Sequence, residues 1–495
     1  MVTKAGEAPM DQKWWIALGV VGGVFAAVRF ACLFNDLWLD EIWSLQLLRT
    51  IHSPGEILSV LRHDNNHPLN SLFLYLLMPA AHEWTYRLLS WATGVATIWL
   101  AGIIARRQFH LLHPQESAAQ ANAAGLLTAI VFGGSYLLIH YSSEARGYAP
   151  AVCFGLLAYY ALLRACDVPW SGWAIVFWCA SVLGLLSHLV AMQIMLAGLG
   201  WSVAKALLAR SDRRAAWLRL AWWHLLPWAF LGIYFLLFIR KINMGAGPSR
   251  PVAVVLGDLA AFGLGFPSRV GVALALPALL GIVLVALFLI WRQNRPLAVF
   301  HALMISVAVF CALFLPHATS LFPRYFIVSG VGALFLVGYV LARLLASRRL
   351  PWTAGVIALG LFFVGNGAHT FRLIRDGRGQ YQKALRYILA QTPTATVTVG
   401  SDYDFRNFLV INYYAKIAGP GRTIQCCSSN QWPVKGTQWM FLHCLDGEPA
   451  PVAAFVDKTG HPYRLDRVFP HAALSGWTWY VYRNLDFWPS SASVL

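Results

Sequence analysis

The sequence WWIALGVVGGVFAAVRFACLF at residues 14–34 is followed directly by NDLWLDEIWS at residues 35–44. The first stretch is apolar and long enough to cross a hydrocarbon core of about 30 Å as a helix. The second stretch places Asp36, Asp40 and Glu41 among large apolar side chains. Carboxylates at a membrane boundary are costly to desolvate, so this cluster predicts a functional site.

The composition indicates a membrane protein. Of the 495 residues, 58% are hydrophobic and 12% are charged, whereas soluble domains carry about 25% charged residues. The mean hydropathy is +0.57. Apolar runs of about 17 to 22 residues recur along most of the chain, each long enough to span a bilayer. Because backbone polar groups in lipid must be satisfied internally, these runs predict helices.

The formal net charge of +17 has a topological explanation. Many of the cations lie in short loops between apolar runs, which is the pattern that keeps loops in the cytoplasm. We therefore expect no nucleic-acid partner. The sequence also lacks a Walker-type loop, a dinucleotide fingerprint and a Gly-x-Ser-x-Gly elbow, so ATP, NAD and serine-hydrolase chemistry have no motif support.

The apolar runs predict about eleven transmembrane helices, with the basic loops in the cytoplasm. Their approximate bounds are 14–34, 88–104, 122–139, 149–163, 171–186, 188–205, 220–238, 270–291, 297–315, 326–345 and 352–364. The first run is too long for a signal-peptide core, so we expect it to be retained. Arg106 and Arg107 follow the second run. They place the N-terminus in the cytoplasm and the first large loop, about residues 35–87, outside.

Two domains are predicted, a membrane domain at residues 1–365 and a small C-terminal α/β domain at residues 366–495, outside the cytoplasm. In the first outer loop, residues 42–51 and 68–79 have the spacing of interfacial helices, too short to cross. From residue 366 the composition is that of a soluble domain. The patterns there predict helices at 381–391 and 405–416, and strands at 394–400, 438–443 and 477–482. In an oxidising compartment, Cys426 or Cys427 can pair with Cys444.

This topology gathers many polar residues on the outer side. They are Asp36, Asp40, Glu41, His63, Asp64, His67, Glu144, Arg146, His188, Arg240, Lys241, Arg250, Arg269, His317 and Arg324. Cations on this side run against the positive-inside bias. They therefore indicate an anionic partner.

Four motifs resemble those of one superfamily of membrane enzymes. They are Asp40-Glu41 after the first span, Asn65-Asn66-His67-Pro68-Leu69 in the same loop, Glu144-Ala145-Arg146-Gly147-Tyr148 after the third span, and Pro323-Arg324-Tyr325 before a late span. In this order and spacing they resemble the GT-C superfamily of polyprenyl-phosphate-sugar-dependent glycosyltransferases. The most similar branch contains protein O-mannosyltransferases and lipid A aminoarabinose transferases. The resemblance covers the membrane domain.

The resemblance implies an inverting hexosyl- or pentosyltransferase. Such an enzyme needs a general base for the acceptor hydroxyl and positive charge for the departing phosphate. Asp40 corresponds to the acidic position assigned as the base. Adjacent helical residues point about 100° apart, so Glu41 is expected to orient or support, whereas Asp36 and Asp40 can share a face at i, i+4. The alternative is that the acidic pair caps and solvates an interfacial helix.

The other motifs supply candidate substrate-binding residues. His67 is a candidate for binding the donor, the acceptor or a metal, and Mg or Mn is an open option because His63-Asp64-His67 is only a weak ligand pattern. Arg146 has a planar donor fork suited to phosphate, Glu144 can hold it, and Tyr148 closes the motif. An internal ion pair that fixes the turn is the alternative for Glu144 and Arg146.

Three outer cations are candidates for a phosphate clamp. Arg240 and Lys241 follow the seventh span, and Arg324 precedes Tyr325 in the fourth motif. Their alternative role is snorkelling, in which long cationic side chains at a helix end reach the lipid headgroups. The resemblance supports Arg324 and Tyr325 as substrate-binding residues.

The leading hypothesis is therefore a multi-pass glycosyltransferase of the bacterial inner membrane with an outward, periplasmic or extracellular, C-terminal domain. Its partners would be a polyprenyl-phosphate-sugar donor and a glycan, lipid or protein acceptor. An enzyme that transfers a whole oligosaccharide from a polyprenyl pyrophosphate is the first alternative. A transporter or lipid flippase is the second, but transporters show internal duplication and midplane charges, whereas here the charges gather at one surface.

Overall fold

The computed structural model describes residues 12–165, 172–209, 212–243, 245, 249–314, 321–347 and 350–488. Some sequence predictions fall outside these residues. They concern the outer placement of His317 and the end residues of two predicted spans, 171 and 315.

The described chain forms two compact units. Unit 1 consists of the described parts of Met1–Leu33, Ile51–Ala80 and Thr85–Thr370. Unit 2 consists of Phe34–Thr50, Ala81–Trp84 and the described part of Phe371–Leu495. The acidic segment thus belongs to the same unit as the C-terminal residues. The predicted domains 1–365 and 366–495 stay predictions.

The helices are numbered along the chain. The first nine are α1 Gln12–Ala31, α2 Leu39–Leu48, α3 Glu56–Ser59, α4 Pro68–Leu77, α5 Leu88–Leu112, α6 Ala118–Gly134, α7 Tyr136–Ser142, α8 Tyr148–Arg164 and α9 Trp173–Ser187. The others are α10 Ala191–Leu208, α11 Arg213–Leu237, α12 Val252–Leu264, α13 Leu276–Gln293, α14 Arg295–Phe314, α15 Ile327–Ala346, α16 Leu350–Asp376, α17 Tyr381–Gln391 and α18 Asp404–Tyr414. Helix α2 lies in unit 2, as do α17 and α18.

Within the described residues, each predicted span corresponds to one helix, except the third, which corresponds to the two helices α6 and α7. Among the described residues, eight helices are long and apolar enough to cross a membrane, or nine when α6 and α7, which meet at a 62° bend, count as one span. Helices α8 and α9 are apolar but shorter. The structure therefore has the helices of a multi-pass membrane protein, and the number of eleven spans stays a prediction.

Helix α12 was missed by the sequence prediction. Its 13 residues are mostly apolar, but they are too few for a span. Ala260 and Ala261 of α12 pack against Ala275, just before α13. A Cβ on Gly257 would lie 2.8 Å from the backbone nitrogen of Val272, so glycine allows this close approach.

The bend between α6 and α7 is stabilised by buried polar groups. The guanidinium of Arg29, on α1, donates to the carbonyl oxygens of Gly133 at 2.8 Å and Phe132 at 2.9 Å. The side-chain oxygen of Asn366 accepts the backbone N–H of Tyr136 at 2.7 Å. These bonds satisfy carbonyl and amide groups that a broken helix leaves without partners. They fix the direction of α7 and of the turn that follows it.

Unit 2 contains a six-stranded sheet with the order β2-β1-β3-β6-β5-β4. The strands are β1 Thr396–Ser401, β2 Thr423–Cys426, β3 Trp439–Cys444, β4 Ala454–Val456, β5 Pro462–Phe469 and β6 Thr478–Asn484. Strand β1 pairs in parallel with β2 and β3, whereas β6 and β5 continue the sheet antiparallel. The predicted helices α17 and α18 and strands β1, β3 and β6 are present, and β2, β4 and β5 were missed. Cys426, Cys427 and Cys444 are free thiols.

Candidate functional site

The Asn-Asn-His-Pro motif forms a tightly bonded turn in unit 1. The side-chain amide of Asn66 donates to the carbonyl oxygens of Ile57 at 2.7 Å and Leu61 at 2.8 Å. Its oxygen accepts the hydroxyl of Ser71 at 2.7 Å. Pro68 begins α4, where its missing N–H costs nothing. The preceding residue, His67, is therefore held at the start of the helix, 5% exposed.

The turn between α7 and α8 contacts this motif directly. A guanidinium nitrogen of Arg146 donates to the side-chain oxygen of Asn65. The amide of Asn70 donates to the carbonyl oxygen of Ala145 at 3.0 Å. The hydroxyl of Ser90 donates to the carbonyl oxygen of Arg146 at 2.9 Å. Two motifs that the sequence places far apart thus form one bonded structure.

The loop between α9 and α10 completes the contact. A Cβ on Gly147 would overlap the carbonyl oxygen of Ser187 and lie 3.1 Å from Cβ of His67, so glycine permits the three segments to meet. The rings of His67 and His188 are 4.7 Å apart between centroids, and those of His188 and Tyr148 are 4.4 Å apart. His67 and Tyr148 lie 5.7 Å apart. The three rings form a packed group.

Two arginines add positive charge to this group. The guanidinium carbon of Arg146 lies 5.7 Å from the ring centroid of Tyr148. Burial, and then the positive charges of Arg146 and Arg324, lower the pKa of His188 to about 3. The pKa of His67 is lowered well below its ordinary value by burial, Arg146, His188 and Arg324. Both histidines are therefore neutral at pH 7, and Arg324 lies near them.

We call His67, Arg146, Tyr148, His188 and Arg324 the His-Arg cluster. Within the described residues, Nε2 of His67 is buried without a hydrogen-bond partner. A neutral imidazole can donate one hydrogen bond, and a guanidinium presents several donors suited to phosphate. The cluster can therefore bind an anionic oxygen through the charges of Arg146 and Arg324 and, in the tautomer protonated at Nε2, through the N–H group of His67.

Glu144 and Tyr325 are adjacent to the cluster in different ways. Glu144 is 1% exposed and lies in the turn that carries Arg146; its carbonyl oxygen accepts the backbone N–H of Arg146 at 2.8 Å. The guanidinium carbon of Arg324 lies 5.6 Å from the ring centroid of Tyr325 and 4.1 Å from that of Phe322. The two rings orient Arg324. The roles of Glu144 and Tyr325 in substrate binding stay predictions.

Arg240 and Lys241 have exposed side chains on a short 3-10 turn, Ile239–Lys241. The backbone just after the turn, at Asn243, pairs with Arg62 and Asp64 through N–H to carbonyl bonds of 2.9 and 3.2 Å. Among the described contacts, none joins the side chain of Arg240 or Lys241 to the His-Arg cluster. Their predicted clamp role rests on the sequence alone.

The proposed metal pattern is not assembled in the described part of the chain. His63 lies 2.9 Å from the carboxylate of Asp64, while the ring of His67 packs against His188 and Tyr148. No group of three or more histidine, cysteine, aspartate or glutamate side chains there could hold a metal ion. The option of Mg or Mn stays a prediction.

The acidic segment lies in unit 2. Helix α2 begins at Leu39, and the carboxylate of Glu41 accepts the backbone N–H of Trp38 at 3.2 Å, which caps the helix. Glu41 thus has a structural role, while Asp40 on the first turn is 9% exposed. Asp36 precedes the helix, in a stretch with no helix or strand. The prediction that Asp36 and Asp40 share a helix face is therefore wrong.

His188 was not among the predicted binding residues, although it was placed on the outer side. The available signal was its position between two apolar runs, next to Ser187. Its ring contacts depend on the approach of Gly147 to Ser187, which no local pattern predicts.

No family model matches the chain, and no curated protein matches it. Solved structures are similar over most of its length. ArnT from Cupriavidus metallidurans bound to undecaprenyl phosphate is 14% identical, with 98% of this chain and 100% of that chain covered and a TM-score of 0.47. The apo oligosaccharyltransferase from Archaeoglobus fulgidus is 13% identical, with 83% and 64% covered and a TM-score of 0.46.

The identities and TM-scores are low. The function proposed below therefore rests on the residues of this chain.

Proposed function

We propose that the protein is an inverting glycosyltransferase that moves a sugar from a polyprenyl-phosphate donor to an acceptor hydroxyl at the outer face of the bacterial inner membrane. The observation that carries the proposal is the His-Arg cluster. It brings together four of the segments that lie on one side in the predicted topology, and it combines a buried arginine, Arg146, with a half-buried one, Arg324. A lipid-linked phosphate at the membrane surface needs such a site.

In the proposed reaction, the acceptor oxygen attacks the anomeric carbon from the face opposite the phosphate. The bond between the anomeric carbon and the phosphate oxygen breaks, and its electron pair leaves with the phosphate. Arg146 and Arg324 stabilise the charge that develops on that group. Asp40 takes the proton of the acceptor hydroxyl, so the products are the glycosylated acceptor and a polyprenyl phosphate.

The cluster supports the donor half of this proposal directly. The positive charge comes from the two guanidinium groups. Because the pKa values of His67 and His188 are lowered, this charge does not change near pH 7. Polarised N–H donors that are already in place cost little reorganisation when a phosphate leaves. The role of Asp40 is supported by the resemblance and by its burial on the first turn of α2.

The decisive experiment uses Asp40→Asn, which keeps the size of the side chain and removes its basicity. Transfer from a polyprenyl-phosphate-linked sugar, measured with purified protein in lipid nanodiscs, should fall by about 10²-fold or more, the usual contribution of a general base. Binding of undecaprenyl phosphate should stay within about twofold. Asp486→Asn, the same substitution at an exposed site of unit 2, is the control.

Transfer by Asp40→Asn at the wild-type rate would remove Asp40 as the base. A protein that is inactive with monophosphate-linked sugars but active with pyrophosphate-linked oligosaccharides would support the en bloc alternative. The acceptor, glycan, lipid or protein, is identified by mass spectrometry of surface glycolipids and glycans in a deletion strain.

A further inference from the structure

Asp36 caps a helix of the C-terminal part of unit 2. Its two carboxylate oxygens accept the backbone N–H of Gln382 at 2.8 Å and the side-chain amide of Gln382 at 3.0 Å. Gln382 is the second residue of α17, and its N–H belongs to the first turn, which lacks intrahelical partners. A carboxylate there is also favoured by the helix dipole. The bond joins residues 346 positions apart.

A second bond holds the next residue of the segment. The hydroxyl of Tyr414, at the last position of α18, accepts the backbone N–H of Leu37 at 2.6 Å. The same hydroxyl lies 3.1 Å from the carboxylate of Glu83, to which it donates. Leu37 and Tyr414 are both buried. A buried backbone N–H without a partner costs about 1–3 kcal/mol, so this bond constrains the path of the chain.

Asn35 is held in the same way. A guanidinium nitrogen of Arg378, which is fully buried, donates to its side-chain oxygen at 3.1 Å. Gly377 has a φ of +63°, and a Cβ there would lie 2.7 Å from Cβ of Asn35. Three consecutive residues, Asn35 to Leu37, are therefore each bonded to the C-terminal part of unit 2.

The helix that follows packs on the same part of the chain. Helix α2 lies against α18, and the rings of Trp43 and Phe405 meet edge to face with centroids 5.0 Å apart. Asp40 lies on α2 between the bonded segment and this aromatic contact. The position of its carboxylate thus depends on residues that are more than 340 positions away in sequence, as the Asp36 to Gln382 bond shows.

We propose that Gln382 and Tyr414 are positioning residues for sugar transfer, acting through Asp36 and Leu37 to set the place of the Asp40 carboxylate. The inference rests on the proposed function. A base must lie within hydrogen-bond reach of the proton that it takes, and a misplacement of about 1 Å costs about 10²-fold in rate. The C-terminal part of unit 2 is then a component of the catalytic machinery.

The first test is Tyr414→Phe, which removes only the hydroxyl. We expect kcat for transfer to fall at least tenfold, with KM for the donor within about twofold and with cooperative thermal unfolding retained. Tyr403→Phe is the matched control, because the Tyr403 hydroxyl, at the start of the same helix, makes no hydrogen bond within the described residues. It should leave kcat unchanged.

The second test exchanges the polarity of the Asp36 to Gln382 contact. Gln382→Glu places two carboxylates face to face and should lower kcat at least tenfold. Adding Asp36→Asn restores one donor and one acceptor across the contact, so the double variant should recover most of the lost kcat. A general loss of stability would not predict that recovery.

The outcomes separate this inference from the proposed function. If Asp40→Asn is inactive while Tyr414→Phe and Gln382→Glu keep the wild-type kcat per folded molecule, the positioning role is overturned and the transferase proposal stands. If Asp40→Asn is fully active, the base assignment fails first. Equal losses of kcat in the single and the double exchange variants would also overturn the positioning role.

Discussion

Gly147→Ala should inactivate the His-Arg cluster although it adds only one methyl group. The new Cβ would lie 2.8 Å from the carbonyl carbon of Ser187 and would overlap the carbonyl oxygen itself. Carbon atoms prefer separations of about 3.5–4.0 Å, so the two loops must part by roughly 0.7 Å or more. His67 and His188 lie on either side of this contact, and their rings would separate with it.

The expected magnitude follows from that displacement. Overpacking of this kind costs about 1–3 kcal/mol of stability, and a shift near 1 Å in a binding site costs about 10²-fold in rate. We expect transfer to fall by about 10²-fold and undecaprenyl phosphate binding, measured in nanodiscs, to weaken at least tenfold. Gly172→Ala is the control, because a Cβ there meets nothing within 4 Å. Wild-type affinity and rate in Gly147→Ala would refute the geometry.

Two further predictions concern the charges of the cluster. Arg324→Ala should weaken donor binding about 10-fold or more, since hydrogen bonds to charged groups contribute about 1.5–3 kcal/mol, while KM for the acceptor stays near wild type; unchanged donor affinity would remove Arg324 from the site. His188 is neutral when folded, with its pKa lowered to about 3 by burial, Arg146 and Arg324, against 6.5 in the unfolded chain. The unfolded state therefore binds the extra proton, and stability falls as pH drops below 6.5, by about 1–2 kcal/mol at pH 5. Thermal unfolding of His188→Gln should show a smaller loss over the same pH range, and an identical pH dependence would contradict the assignment.

Hydrophobic length predicted the helices of unit 1 well, because a bilayer span requires about 20 apolar residues in one run. It failed for α12, whose apolar run is shorter than a span and packs inside the protein. In unit 2 the alternating pattern found β1, β3 and β6. It missed β2 and β4, which have four and three residues, too few for alternation to be distinguished from a loop.

The candidate site was predictable in its parts and not in its assembly. The motifs with His67, Arg146 and Arg324 were recognised by resemblance, and the charge pattern indicated an anionic partner. His188 joins the His-Arg cluster because the backbones of Gly147 and Ser187 approach closely, and this is a tertiary contact that local sequence patterns do not predict. The i, i+4 prediction for Asp36 failed because α2 begins only at Leu39, after an extended residue, Trp38, with φ −100° and ψ 177°.

The contacts of Asp36 give this residue a structural role that differs from the role of general base proposed for Asp40, four positions later. Both oxygens of the Asp36 carboxylate accept hydrogen bonds from Gln382 at the N-terminus of α17, so this side chain holds the segment in place. At the start of α2, the carboxylate of Glu41 accepts the backbone N–H of Trp38. The three acids of the segment thus divide the work. Asp36 fixes the segment to α17, Glu41 begins the helix, and Asp40 is the general base of the proposed reaction.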